Sequence, residues 1–334
     1  YLKSPIKHIS GTTSGNLQLE GILPDINLNA RLALNRSPFS VRQTMVDYVF
    51  IGGDSIILSP TDMEFRNLRF VDKYGNKGEF FGHISHNMFT GLNLNLGFRT
   101  DDLLVLETTE TVSPTYYGTI YADGLLSVAG RTSNIKLQID ATARPNTIFN
   151  ILPMGKGDMR ENSYIKFASS SEKAEDDIID YESLAGGVTA QLNVKIEPTS
   201  QICVIVNPRT NNMIKATGNG DLRLDINKTG DLNIYGDYII ENGQYNFSFE
   251  NLLNKQFSIN QGSSLSWDGV PYNARIDLVA TYNAKASLYD LVAGSGDATS
   301  GDLKRRVPVN VNLHLAERLA DPNIKFDIEI PSSL

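Results

Sequence analysis

Residues 220–247 read GDLRLDINKTGDLNIYGDYIIENGQYNF, and their spacing decides the fold class. Leu222, Leu224 and Ile226 alternate with Arg223 and Asp225; after Lys228-Thr229-Gly230, Leu232 and Ile234 alternate with Asn233. Tyr245, Phe247 and Phe249 then alternate with Asn246 and Ser248. A period of two puts successive side chains on opposite faces of a β-strand, so each segment has one apolar and one polar face. Strands buried on both sides by helices would instead be continuous apolar runs.

The same pattern extends in both directions. Upstream it takes in Ile26 to Leu34, Leu92 to Leu96, Ile135 to Ile139 and Leu192 to Ile196. Downstream come Val307 to Leu315, then Ile324, Phe326, Ile328 and Ile330. Turn signals punctuate the chain: Asn-Gly at 219–220 and 242–243, Asp-Gly at 123–124 and 268–269, Lys-Thr-Gly at 228–230, and Tyr-Gly-Asn-Lys-Gly at 74–78. Together they predict a β-meander. Segments 118–141 and 220–247 are loosely self-similar, which suggests a stack in which each unit covers its neighbour's apolar face. Residues 172–184 read as a short helix or a solvated loop, Ser37–Val49 as helix or strand, and 293–302 as a flexible loop between strands.

Composition narrows the function. The chain has 334 residues, 41% hydrophobic, enough for a large core, and 28 of them are Phe or Tyr (14 of each), which argues against disorder. Length alone suggests two units, but no Pro/Ser-rich linker separates them. Net charge is −8, and no basic cluster is longer than Lys304-Arg305-Arg306, so nucleic acid is not an expected partner. The single cysteine, Cys203, lies in the apolar run ICVIV and reads as a core side chain. No stretch reaches the roughly 20 apolar residues of a membrane helix. The chain opens on Tyr1 without a signal peptide, and reads as an excised piece of something longer.

Catalytic patterns are weak. His83 and His86 are three apart, which aims them to opposite faces of a strand, and no metal site is expected. Gly296 to Gly301 has the rhythm of a phosphate loop, but Asp302 stands where Lys is needed. The paired acids Asp101-Asp102 and Asp176-Asp177 fall in polar turns, which leaves a carbohydrate-active β-solenoid as a remote alternative. No cofactor is implied, and the chain does not read as an enzyme. The apolar face could belong to a barrel, a sandwich or a half-pipe with a greasy concave wall. Periodicity does not separate these, and an ordinary core is the plainer reading of patterning alone.

From 203 to 282 the sequence resembles the C-terminal domain of the TamB family, of the translocation and assembly module. The matching elements run in order: Gly218, Gly220 and Leu222; Gly236 and Tyr238; Gly243, Tyr245 and Phe247; Phe257 and Ile259. Gly262, Ser264 and Leu265 precede Trp267, Gly269 and Pro271, and Ile276, Leu278, Ala280 and Tyr282 close the run. The tail fits at Pro308, Val309, Leu313, Pro322, Ile324, Phe326 and Pro331; Glu317 departs, standing where the family tends to place Gly. The likeness is good over 111–334 and loose over 1–110, giving an upstream and a C-terminal section of one continuous structure.

The resemblance implies an all-β, elongated meander curled into an open half-pipe, the β-taco, with an apolar concave face. It implies a periplasmic protein anchored in the inner membrane by an N-terminal helix outside these residues. Its groove would take phospholipid acyl chains or unfolded outer-membrane protein segments. The wall would be supplied by Leu222, Leu224, Ile226, Leu232, Ile234, Tyr245, Phe247, Phe249, Phe257, Ile259, Leu265, Trp267, Ile276 and Leu278. The strand carrying Ile324, Phe326, Ile328 and Ile330 would face an outer-membrane barrel of the BamA/TamA superfamily. The family's activity is phospholipid transport or outer-membrane protein assembly, with strand-pairing chaperone work on inserting barrels as the alternative.

Overall fold

The computed structural model describes residues 6–22, 25–52, 55–152, 187–207, 210, 212–229, 231–249, 253–287 and 306–331. Among them are 21 strands and one 3-10 turn, Pro271–Asn273. The first eight strands are β1 (Ile6–Ile9), β2 (Thr13–Ile22), β3 (Asp25–Leu34), β4 (Ser37–Val41), β5 (Val46–Phe50), β6 (Ser55–Leu58), β7 (Asp62–Val71) and β8 (Lys77–Asn87). There follow β9 (Thr90–Thr108), β10 (Tyr116–Arg131), β11 (Asn134–Ala143), β12 (Ile148–Ile151), β13 (Val188–Ile196), β14 (Gln201–Asn207) and β15 (Asn212–Ile226). The last six are β16 (Leu232–Phe249), β17 (Leu253–Ile259), β18 (Ser264–Gly269), β19 (Arg275–Ser287), β20 (Arg306–Arg318) and β21 (Asp321–Glu329).

They form one sheet whose rungs follow sequence order, so the meander and the all-β half-pipe expected from the sequence hold. A rung is either one long strand or two shorter strands end to end. Thus β11 and β12 together pair with β10, β13 and β14 with β15, and β17 and β18 with β16. Ser37–Val49 resolves as strand, the β4–β5 hairpin. The proposed helix at 172–184, the loop at 293–302, the glycines at 296 and 301 and the acid pair at 176–177 lie outside the described residues. All pairings are antiparallel except β11 with β13 and β12 with β14.

Halfway along each rung the sheet bends. In four of the two-strand rungs a buried hydroxyl sits at or beside the break: Ser37, Thr147, Ser200 and Ser263. The Thr147 hydroxyl donates to the Tyr121 carbonyl at 3.1 Å and accepts the Tyr121 N–H at 3.0 Å. Ser200 donates to the Arg144 carbonyl at 3.2 Å, and Ser263 accepts the Val279 N–H at 3.2 Å. These bonds satisfy main-chain groups that the interrupted ladder leaves open. The buried hydroxyls therefore mark an elbow about which the sheet curls.

Three of the turn signals belong to this elbow and not to chain reversals, which corrects the sequence reading. Asp123-Gly124, Asn219-Gly220 and Asn242-Gly243 all lie inside strands, β10, β15 and β16. At Gly124 a Cβ would sit 2.4 Å from the Asp140 carbonyl oxygen, and at Gly236 (φ +116°) 2.1 Å from that of Asp221. Glycine is present there because a bent strand brings its neighbour's backbone too close for a side chain. True reversals occur between β15 and β16, after Ile226, and between β7 and β8, over residues 72–76.

On β16 the bend includes a bulge: Thr217 pairs with Asn242 but Gly218 with Ile240, leaving Glu241 over. Before it the even-numbered Ile234, Tyr238 and Ile240 are buried; after it the odd-numbered Tyr245 and Phe247 are. The extra residue restores the face that plain alternation would have lost. Glu317, the departure from the family pattern, takes a left-handed φ of 79° inside β20, which explains why glycine suits that place.

Two apolar clusters result. One joins Phe39, Val46, Tyr48, Phe70, Leu103 and Leu104, with the Tyr48 hydroxyl donating to the Leu104 carbonyl at 2.8 Å. The larger occupies the C-terminal half and merges both sides of the elbow, from Ile196 and Ile214 to Leu313 and Leu315. At its end the sheet rolls up until the ring of Phe326 on β21 lies 5.6 Å from that of Phe247 on β16, although three rungs separate the two strands.

Candidate functional site

Burial on the concave side changes with position along β11, β13 and β15. At the elbow, Ala143, Ile196 and Tyr238 are buried. Toward the strand tips, Ile139, Leu137 and Ile135 on β11, Val194 and Leu192 on β13, and Leu222, Leu224 and Ile226 on β15 are only half-buried. Those three strands are neighbours, so the half-buried side chains form one apolar stripe: Leu192 pairs with Ile139 on one side and Leu224 on the other. The intervening residues face outward and are polar or charged, as with Lys136, Gln138, Gln191, Lys195, Asp221 and Arg223. Alternation thus produces a trough with a charged outside and an apolar inside that deepens toward the elbow.

The expected wall residues divide between lip and core. Leu222, Leu224, Ile226 and Leu232 are half-buried at the lip. Ile234, Tyr245, Phe247, Phe257, Ile259, Leu265, Trp267, Ile276 and Leu278 are between 1% and 8% exposed and pack against one another. Phe249 lies on β16, its side chain outside the described set. Burial pushes the Tyr245 hydroxyl up to about 12, so it stays neutral. Sequence reasoning missed Ile135, Leu137, Ile139 and Leu192 as companions of Leu224; their shared alternation was visible, but adjacency of β11 and β13 needed the parallel pairing.

Among the described residues the C-terminal strand β21 pairs only with β20, and no strand is paired to its other edge. Ile324, Phe326 and Ile328 are 41%, 51% and 52% exposed on its apolar side, and Ile330 follows just past its end. Phe326 also meets Phe257 at 6.4 Å, so this exposed strand leans on the core without being enclosed by it.

The remaining chemistry-bearing groups are placed as follows. His83 is exposed while His86 is buried, stacked on Phe89 with ring centroids 4.7 Å apart. Among the described residues no three His, Cys, Asp or Glu side chains are grouped to hold a metal ion. Asp101 and Asp102 are exposed, and Arg144 lies 3.8 Å from Asp102 and 3.3 Å from Asp123. Cys203 is buried, which pushes its thiol up, away from the reactive thiolate. No helix among the described residues is long and apolar enough to cross a membrane.

Among curated proteins none matches this sequence. The family model for the TamB C-terminal domain matches residues 66–334, which takes in the larger cluster, the trough and β21, and from the smaller cluster Phe70, Leu103 and Leu104. This chain belongs to the TamB C-terminal domain family, which serves outer-membrane protein assembly and transport.

Proposed function

We propose that the trough is a conduit: it shelters phospholipid acyl chains, or apolar segments of outer-membrane proteins, on their way across the periplasm. The observation that carries this reading is the half-buried stripe Ile135–Leu137–Ile139, Leu192–Val194 and Leu222–Leu224–Ile226 across three adjacent strands. An apolar strip of that length left short of burial suits a ligand made of CH₂ groups, each worth about 0.8 kcal/mol on leaving water. Non-covalent shelter of this kind asks for no acid–base pair. In the family's setting the fragment would work in the periplasm, held to the inner membrane by a helix outside these residues, and would meet a TamA-type barrel at its far end.

Leu224→Asp tests the reading. Native mass spectrometry should find co-purifying lipid on the wild-type chain and lose it in the variant, with thermal unfolding shifted little because Leu224 is half-buried. Equal lipid on both, or none on the wild type, would count against the conduit. Phe247→Arg is the wrong probe, since Phe247 is 7% exposed and a charge there should unfold the C-terminal half.

A second reading draws on β21. Its edge, unpaired among the described residues, and its exposed Ile324, Phe326 and Ile328 fit strand addition by an outer-membrane barrel. Crosslinks from β21 to the first or last strand of such a barrel would support it. Crosslinks confined to lipid would not.

A further inference from the structure

The β8–β9 hairpin carries a feature that neither the trough nor β21 uses. Asn87 pairs with Thr90, so only Met88 and Phe89 form the loop. Both have positive φ, 48° and 61°, a conformation that two-residue hairpins demand and that Asn-Gly fills at least cost. Here two large apolar residues take it instead, and they are 53% and 52% exposed. Backbone strain and apolar exposure coincide at one loop, a pairing that persists where the surrounding structure holds it for a purpose.

The flanks are equally unusual. No Asp, Glu, Lys or Arg occurs between Glu79 and Arg99, in a chain where 20% of residues are charged. The nearest charges on adjacent strands are Asp62, opposite Ser85, and Arg131, opposite Asn93, both set back from the tip. The loop is also fixed in place. Phe89 stacks on His86 at 17° between ring planes, and its N–H donates to His86 Nδ1 at 3.3 Å. Below it, Ile84 pairs with Leu94 on the concave face, so apolar side chains lead from the tip toward the trough.

We propose that this tip is a bilayer-contact element, with Met88 and Phe89 seated in the interfacial zone of a phospholipid membrane. An uncharged hairpin enters that zone without desolvating ions, and an aromatic ring beside a thioether suits the boundary between headgroups and acyl chains. A partner protein recognising such a tip would be expected to meet charge around it, and the hairpin offers none. The assignment goes beyond the conduit and does not depend on it. It predicts binding to zwitterionic vesicles, with little sensitivity to salt.

The test places a polarity-sensitive fluorophore on Met88→Cys, in a Cys203→Ala background of the whole chain, and adds phosphatidylcholine vesicles. A blue shift is expected. In parallel, unlabelled Met88→Asn/Phe89→Gly should bind vesicles roughly fivefold less or weaker still, because its apolar contact is gone. The same variant should unfold at a higher temperature, because Asn-Gly relaxes the loop. Loss of binding with gain of stability separates a contact role from a structural one. No blue shift, or unchanged binding by the double variant, overturns the proposal. A shift produced by an outer-membrane barrel protein and not by lipid also overturns it, and assigns the tip to protein. Because the fluorophore reports on the tip, the outcome of that arm is the same whether or not the trough holds acyl chains.

Discussion

Asp72 shows how much one side chain can hold. It is buried, and its carboxylate accepts four hydrogen bonds: from the Tyr74 and Asn76 N–H groups at 2.8 and 3.0 Å, from Asn76 Nδ2 at 2.9 Å, and from the Leu104 N–H at 2.9 Å. The first three shape the β7–β8 turn and the last fastens it to β9. Burial by itself would raise its pKa, but the hydrogen bonds outweigh that and hold it below the usual carboxylate range. A depressed folded pKa gives stability that is complete above the unfolded value and lost as pH falls through the folded one. The chain should therefore lose stability below about pH 4, the ordinary aspartate range. In Asp72→Asn, denaturant unfolding at neutral pH should show a loss of about 1–3 kcal/mol, because an amide turns donors toward donors. The acid limb should also flatten. An unchanged acid limb would mean that other carboxylates govern it.

At the scale of the element, β16 depends on a single inserted residue. Glu241 keeps Tyr245 and Phe247 facing inward after Ile240, so deleting it would turn both rings outward or force a slip against β15 and β17. Each ring contributes about 1.5–3 kcal/mol by burial. Deletion should cost several kcal/mol, seen as early loss of amide protection in β15–β17 while β7–β9 remain protected. This element also marks the limit of what the sequence discloses. Alternation in Leu222–Ile226 and Tyr245–Phe249 identified strands and their inner faces. It did not reveal that Leu232–Phe249 is one strand, because the parity change at Glu241 looks like a break and Asn242-Gly243 looks like a turn. A glycine needed for a close backbone approach and one needed for a reversal are the same letter, and only neighbouring strands tell them apart.

At the scale of the molecule, a greasy face was legible, but its division between core and lip was not. Tyr245 and Leu224 have the same alternation, yet one is 1% exposed and the other lies at the lip, because Tyr245 sits within the C-terminal cluster whereas Leu224 flanks the half-buried Leu192 of β13. The elbow is recorded only in scattered small residues such as Thr147 and Ser200, which alone say nothing about curling. Because hydrogen-bonded pairing runs from each rung to the next, much of the stability is a sum of local contributions along the stack, with longer-range contacts added where Tyr48 reaches Leu104 and Phe326 reaches Phe247. The C-terminal half, where Phe326 closes on Phe247, is the better consolidated of the two.

The parallel pairing of β11 with β13 and β12 with β14 has a consequence for assembly. The chain between the two sides of this junction, residues 153–186, lies outside the described residues, and what the described residues supply across it are ladder bonds and packed side chains. The molecule is thus divisible. Residues 1–152 and 187–334, co-expressed as separate polypeptides, should find each other and co-purify as a reconstituted whole, with β11–β12 of one fragment templating β13–β14 of the other. Fragments cut inside the β15–β16 hairpin should not, since each would be left with half of a folded rung pair and an exposed core.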